Sequence, residues 1–258
     1  MNCLFVCREG GALWRSMRRT LHVTGSSLAS VLGVSPWKSR WKLYLEKTGV
    51  ISEKKAQASL SNPNTIERLN HGRYWEPHAL RQYEKSMELK GVVASPGLHL
   101  SPDHPLVGAT PDAWHPETHT VIEIKCPSNL SFNPRPWDER MTWDCPPAHY
   151  ICQTLLEAHV MGAKRIHYVC YLAPDPDANE PWRLNVLEYA FPSDLWDHDI
   201  WPEILHFSQQ ISGQRDPPPQ RLPNKHKSHW TDKLTHGINV TRSYYFSGAA
   251  QEDPGRIE

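Results

Sequence analysis

Glu123 and Lys125 stand two positions apart in the apolar run from Val121 to Lys125. In a strand that spacing sends both side chains from one face, while Ile122 and Ile124 leave the other. An acid and a lysine set beside a buried face are costly unless they are paired or used. Eleven residues before Glu123, Thr110-Pro111-Asp112 places a second carboxylate at a turn. The hairpin from His115 to Thr120, with Pro116 and Glu117 inside it, can fold Asp112 back alongside Glu123. Two carboxylates, the backbone carbonyl of Ile124 and waters make a hard-oxygen site of the kind Mg²⁺ prefers, with Mn²⁺ as a substitute. A cation held there can polarise a phosphodiester and activate a water. The Lys125 ammonium would hold that water or offset developing negative charge. The same spacing also suits a turn-capping Asp and a cross-strand ion pair on a solvated sheet face, and spacing alone leaves that reading open.

The elements around these residues follow from hydrophobic period and punctuation. Gly25-Ser26-Ser27 before Leu28, Val31 and Leu32 predicts a capped helix ending near Gly33. Ser35-Pro36-Trp37 turns into a second helix over Arg40 to Lys47, stopped by Gly49, and residues 52–64 form an exposed loop. From Ile66 to Leu89 a helix carries Leu69, Gly72, Glu76, Leu80 and Tyr83 along one side. Pro77 either kinks that helix or restarts it at Glu76. After Gly91, short apolar runs at 92–94, 97–100, 106–109, 113–114 and 121–125 predict a strand meander. A helix over 149–161, strands over 166–172 and 184–191, and a helix over 195–211 complete the domain. The class is α/β, a central mixed β-sheet flanked by α-helices. Pro217-Pro218-Pro219 and Pro223 predict a Pro-rich, weakly ordered tail over 213–258 with little core of its own, leaving residues 1–212 as the domain.

The formal net charge of zero excludes a strongly basic protein that coats nucleic acid. The first 60 residues, with ten Lys or Arg against three Asp or Glu, are the basic portion. No apolar stretch is long enough to span a membrane, and Met1 to Val6 is too short for a signal peptide, so a soluble, intracellular, non-secreted protein is expected. The six cysteines show no paired spacing, which suits a reducing compartment. Cys145, His149 and Cys152, with Cys126, sketch a zinc site that Pro146 and Pro147 disfavour, and the four grouped cysteines of an iron-sulfur centre are missing. His115 and His119 are expected to be exposed turn residues. Trp14, Trp37, Trp41, Trp75 and Trp114 suit helix packing better than base stacking.

The run from Gly108 to Pro127 resembles the PD-(D/E)xK nuclease motif. In detail it resembles the YqaJ-like, lambda-type exonuclease family, where a Ser-Pro-Asp-Gly turn precedes Glu-x-Lys-Cys-Pro. Further motifs stand in the family's order: Val23-Thr24-Gly25-Ser26-Ser27 with Val31-Leu32-Gly33 and Ser35-Pro36-Trp37, then Gly72 and Glu76, then Tyr150 and Gln153. The resemblance covers roughly residues 14–172 and implies a restriction-endonuclease-like core. It makes Asp112 and Glu123 metal ligands, Lys125 the catalytic lysine, Glu76 a further acid at the metal, and Gln153 a residue that positions water or substrate. Ser26, Arg18 or Arg19, and Thr110 resemble the family's pocket for a terminal 5′-phosphate. Thr110 in place of Ser keeps the hydroxyl, Ala113 replaces Gly, and Leu155 replaces a second Gln. The implied function is a Mg²⁺-dependent 5′-to-3′ exonuclease that degrades one strand of linear duplex DNA for recombination or viral genome processing. Its implied partners are DNA ends, a single-strand annealing protein and a second copy of the chain, in the host cytoplasm or nucleus if viral. A structure-specific or nicking endonuclease shares the metal site but lacks the phosphate pocket. A noncatalytic DNA-binding or assembly protein would keep only the fold.

Overall fold

The computed structural model describes residues 4–51, 62–128, 144–174 and 181–248. In chain order these form β1 (Leu4–Cys7), α1 (Ala12–Thr20), β2 (Val23–Thr24), α2 (Gly25–Val31), α3 (Arg40–Lys47) and α4 (Pro63–Ser86). There follow β3 (Val93–Ala94), β4 (Leu98–Leu100), β5 (Val107–Ala109), β6 (Ala113–His115), β7 (Thr120–Lys125), α5 (Ala148–Met161), β8 (Arg165–Leu172) and β9 (Trp182–Ala190). α6 (Ser193–Leu195) runs through a π-helical turn (Trp196–Ile200) into α7 (Trp201–Ile211), and α8 (Asn224–Gly237) and β10 (Val240–Gly248) close the described chain.

The strands divide between two sheets rather than one. The larger has the order β10-β9-β8-β7-β6-β3, and only its β7–β8 pairing is parallel. The smaller has the order β1-β4-β5-β2, with β2 and β5 parallel. β7 and β8 are joined through α5, the crossover that a parallel pair needs. Both faces of the large sheet are covered, so its central strands are buried on both sides instead of alternating. On one face Ala79 and Tyr83 of α4 pack on Ile122, Ile124, Val169 and Val186. On the other, α2, α5, α7 and α8 bring Leu28, Ile151, Leu155, Phe207 and Leu234 onto Val121, Tyr168 and Leu187.

Local signals explain where these helices begin and stop. In α3 the Ser39 hydroxyl accepts from the Lys42 amide at 3.2 Å, satisfying a donor that the first turn leaves free. α5 stops at Gly162, which takes the left-handed conformation (φ 63°) that a side chain resists. α4 starts on an Asn62 cap with Pro63 in its first turn.

Of the two readings left open for Pro77, the restart at Glu76 falls, because Pro77 lies inside the one continuous helix α4. Two expectations change. His115 is 3 % exposed, because Thr118 Oγ1 at 2.6 Å and the Lys90 carbonyl at 2.9 Å satisfy both ring nitrogens. Residues 224–248, expected in a weakly ordered tail, form α8 and β10. Trp230, Leu234 and Ile238 enter the main core, and β10 adds an antiparallel edge to β9. Residues 52–61 of the expected loop and 249–258 of the expected tail lie outside the described residues.

Candidate active site

β6 and β7 form the expected hairpin, with Ala113 opposite Ile122. Asp112, one residue beyond that pair, therefore lies against the start of the Glu123 to Lys125 segment. The Ile124 amide donates to Asp112 Oδ2 at 2.8 Å, which fixes the carboxylate. Glu123 is fully buried and pairs with the Lys125 ammonium. A solvated surface ion pair does not describe this arrangement, because burying a charged pair carries a desolvation cost that a surface pair escapes.

α5 supplies the next wall. Gln153 Nε2 donates to Glu123 Oε1 at 2.6 Å and to Glu157 Oε1 at 2.9 Å. Gln153 and Glu157 are four apart and so share a helix face. Both contacts are made by the amide nitrogen of Gln153, so its two hydrogens are engaged and its carbonyl oxygen keeps its capacity to accept from a third group. α2 closes against this wall at Gly25, where a Cβ would meet Glu157 Oε1 at 3.3 Å and Gln153 Cγ at 3.5 Å.

The opposite wall holds the basic group. Ser26 lies within a capping box in which the Thr24 amide donates to Ser27 Oγ at 2.8 Å. Arg18 of α1 donates to Ser26 Oγ at 3.1 Å, and its guanidinium lies 4.6 Å over the Trp14 ring. The Trp14 indole donates to Thr110 Oγ1 at 3.0 Å, linking α1 to the turn before Asp112.

These walls enclose a cavity of about 140 Å³. It is lined by Asp112, Glu123, Ile124, Lys125, Glu76 and Gln153, and by Arg18, Ser26 and Thr110. Every expected site residue lines it except Arg19, so of the two candidate arginines Arg18 is the one at the cavity. Two acids that the sequence reading missed also line it, Glu9 and Glu157. Glu157 was findable from its i, i+4 spacing to Gln153. Glu9 lies in the turn between β1 and α1, a stretch with no apolar period to read.

Crowded acids mark the electrostatics. Burial, then the neighbouring Glu123, holds the Asp112 carboxyl well above its ordinary range. The same two causes raise Glu157, with Asp112 adding to them. Glu76 is raised by burial and by Glu9 and Glu123. Burial pulls Lys125 down, but Glu123 and Asp112 outweigh it, and the ammonium keeps its proton more tightly than a free lysine. Arg18 is lowered by burial, against the pull of Glu9 and Glu157.

The donor set suits a small divalent cation. Glu123 Oε2 is buried with no hydrogen-bond partner, an acceptor position that a cation would satisfy. Among the described residues no three His, Cys, Asp or Glu side chains gather into a metal cage. Mg²⁺ is ordinarily held by one or two carboxylates with waters completing its shell, which is what Asp112, Glu123 and the Ile124 carbonyl offer. Of the residues sketched as a zinc site, Cys152 is fully buried in the core, and the His149 ring packs against Tyr150 at 4.1 Å and Trp37 at 4.8 Å.

Comparison with known proteins places the chain. Residues 13–164, which include every cavity residue named above except Glu9, match the model of the YqaJ-like viral recombinase domain. No curated protein matches the chain. Among solved structures, the alkaline exonuclease LHK-Exo from Laribacter hongkongensis superposes with a TM-score of 0.58 at 21 % identity, over 79 % of this chain and 94 % of that one. Its complex with dAMP superposes with a TM-score of 0.59 at 22 % identity and the same coverage. At that identity the likeness establishes the fold. No helix among the described residues is long and apolar enough to cross a membrane.

Proposed function

The chain belongs to the YqaJ-like viral recombinase domain family, and from that membership and the chemistry of the cavity we propose a divalent-metal-dependent deoxyribonuclease, a 5′-to-3′ exonuclease acting on the ends of linear duplex DNA. The observation that carries this reading is the meeting of Asp112, Glu123 and Lys125 with Arg18 and Ser26 around one cavity. Hydrolysis at a strand terminus needs both a centre that stabilises charge and a grip on the end. LHK-Exo, named an alkaline exonuclease and solved with dAMP, supports the same reading.

Asp112, Glu123 and the Ile124 carbonyl would hold Mg²⁺, for which Mn²⁺ substitutes, with Glu76 placed for a further ion or its waters. The bound cation would polarise the scissile phosphate and offset the charge that develops on it. Lys125, fully protonated and 5.2 Å from the Tyr150 ring centre, adds a fixed positive charge to the same phosphate. The free acceptor of Gln153 orients the attacking water. The Arg18 guanidinium with the Ser26 and Thr110 hydroxyls takes the terminal 5′-phosphate, a charge-assisted contact that an arginine fork suits. The reading extends to a single-strand annealing partner and to a homo-oligomer around the duplex.

The test is digestion of linear duplex DNA with and without a 5′-phosphate, beside closed circular plasmid, in Mg²⁺ or EDTA. Linear DNA should be degraded in Mg²⁺ only, faster with the 5′-phosphate, while the circle survives. Lys125→Ala should lose on the order of 10²–10³ in rate, as losing a group that stabilises transition-state charge typically does. Arg18→Ala should erase the 5′-phosphate preference and spare residual cleavage. A cut circle points to an endonuclease, and intact DNA under every divalent metal overturns the catalytic reading.

A further inference from the structure

A second concavity, of about 700 Å³, adjoins the cavity and shares Glu9 and Glu76 with it. It lies between the two outermost strands of the sheets, β1 of the small one and β3 of the large one, and against α4. Arg8 and Arg73 line it with Phe5, Val93 and Ser95. Both arginines are exposed, Phe5 is 55 % exposed and Val93 is 43 % exposed. The Phe5 ring is held edge-on by His99 at 5.5 Å. The groove is also tied to the site, because the Ser95 amide donates to the Asp112 carbonyl at 2.8 Å. Arg8, Arg73, Phe5 and Val93 are not needed to bind a cation or a terminal phosphate.

Resting on the nuclease reading, we propose that this groove binds a single-stranded stretch of DNA contiguous with the scissile bond, Arg8 and Arg73 pairing with its phosphates and Phe5 stacking on a base. Guanidinium groups beside an exposed ring are the chemistry of single-strand tracks, where the cations follow the backbone and the ring meets a base face. A duplex hides its base faces, so an exposed phenylalanine adds nothing to duplex binding. The volume lies in the range of sites that enclose a small ligand, room for a nucleotide or two and not for a helix. The position fits as well: a strand leaving the cavity past Glu76 enters the groove directly.

The probe is a fluorescein-labelled dT₁₂, bound to full-length protein carrying Lys125→Ala in EDTA, with Kd measured by anisotropy at several salt concentrations. Arg8→Ala and Arg73→Ala should each weaken binding and lower the log–log salt slope by about 0.7, the contribution of one single-strand phosphate contact. Phe5→Leu keeps apolar packing on His99 but removes the aromatic face. It should weaken binding about five- to hundred-fold with the slope unchanged, the loss expected of one base stack. Thermal melts of each variant separate lost binding from lost folding, since these exposed side chains should leave Tm in place. Unchanged Kd and slope in all three variants overturns the proposal. So does a 12-base-pair duplex that competes equally and shows the same sensitivity to Phe5→Leu. Wild-type digestion with normal binding by the variants would sink the groove and leave the nuclease standing. Groove-dependent binding without any digestion would sink the nuclease reading and leave the groove.

Discussion

Five carboxylates, those of Glu9, Glu76, Asp112, Glu123 and Glu157, line a cavity whose cations among the described residues are Lys125 and Arg18. Such crowding is unfavourable without a further positive charge, so Mg²⁺ should stabilise the folded chain, and Asp112→Asn should invert the balance. A ligand at a hundred times its Kd adds about 2.7 kcal/mol to the folded state. Unfolding entropy of roughly 2.1 cal/mol/K per residue over 258 residues turns that into a rise in Tm of about 5 °C. Asn at position 112 still accepts from the Ile124 amide, so the hairpin keeps its 2.8 Å bond. The variant loses one buried charge, a relief on the order of 1–3 kcal/mol, or about 2–6 °C. Melting at pH 8 in EDTA and across an MgCl₂ titration should therefore give curves that cross: the variant higher in EDTA and flat with Mg²⁺, the wild type lower and rising. An equal rise in both proteins would show that the cation binds elsewhere. A variant that melts lower than wild type in EDTA would refute the crowding argument.

Three more outcomes follow from the geometry. Glu157→Leu should lower kcat about tenfold or more with KM nearly unchanged, because Gln153 loses the partner that fixes its amide, whereas Glu157→Gln, which still offers an acceptor, should recover most of the rate; equal damage in both variants would mean that Glu157 serves packing alone. Trp230→Ala, which empties a core position of α8, should cost about 3–5 kcal/mol and lower Tm by about 6–9 °C, and an unchanged melt would show α8 undocked. Burial lowers the pKa of His22, His99, His149, His159 and His167, His149 to about 4 with Lys125 and Lys227 adding to the effect. Below their ordinary value of 6.5 these groups bind more protons in the unfolded chain than in the folded one, so their contribution to stability is full above that pH and is lost as the pH drops towards 4, while the raised carboxyls of Asp112, Glu157 and Glu76 act in the opposite sense. Between pH 7.5 and 4.5 the urea midpoint of the wild type should lose ground to that of His149→Phe as acid is added, and a difference that stays constant or moves in favour of the wild type overturns the assignment to His149.

The parts legible in the sequence share a cause. The helix over Arg40 to Lys47 and the hairpin from Ala113 to Lys125 have their own punctuation, a Ser39 cap with a Gly49 stop and a proline turn, so their bounds did not depend on distant contacts. The meeting of Asp112, Glu123 and Lys125 was readable because the three are near in sequence. α1 was invisible because none of its residues is fully buried: Trp14 and Met17 half-cover a small cluster around Leu21 and Leu98. α8 hid behind Pro217-Pro218-Pro219 and a polar composition, although Trp230, Leu234 and Ile238 repeat at helical spacing. Pro77 left two readings open, and the structure removes the restart, since a long helix packed at Ala79 and Tyr83 absorbs one lost backbone bond. The division into two sheets depends on pairings such as Leu4 with Leu100, which no local pattern announces.

The docking of α8 also sets when the molecule becomes whole. His226 Nε2 donates to the Leu32 carbonyl at 3.1 Å across 194 positions of chain, bracing the end of α2, the helix whose first turn forms the cavity wall. Contacts that distant in sequence form late, because the loop between them must close before they repay its entropy. On the ribosome the wall carrying Gly25 and Ser26 therefore lacks this brace until α8 (Asn224–Gly237) has emerged. A growing chain holds every residue of the cavity long before it holds the completed one.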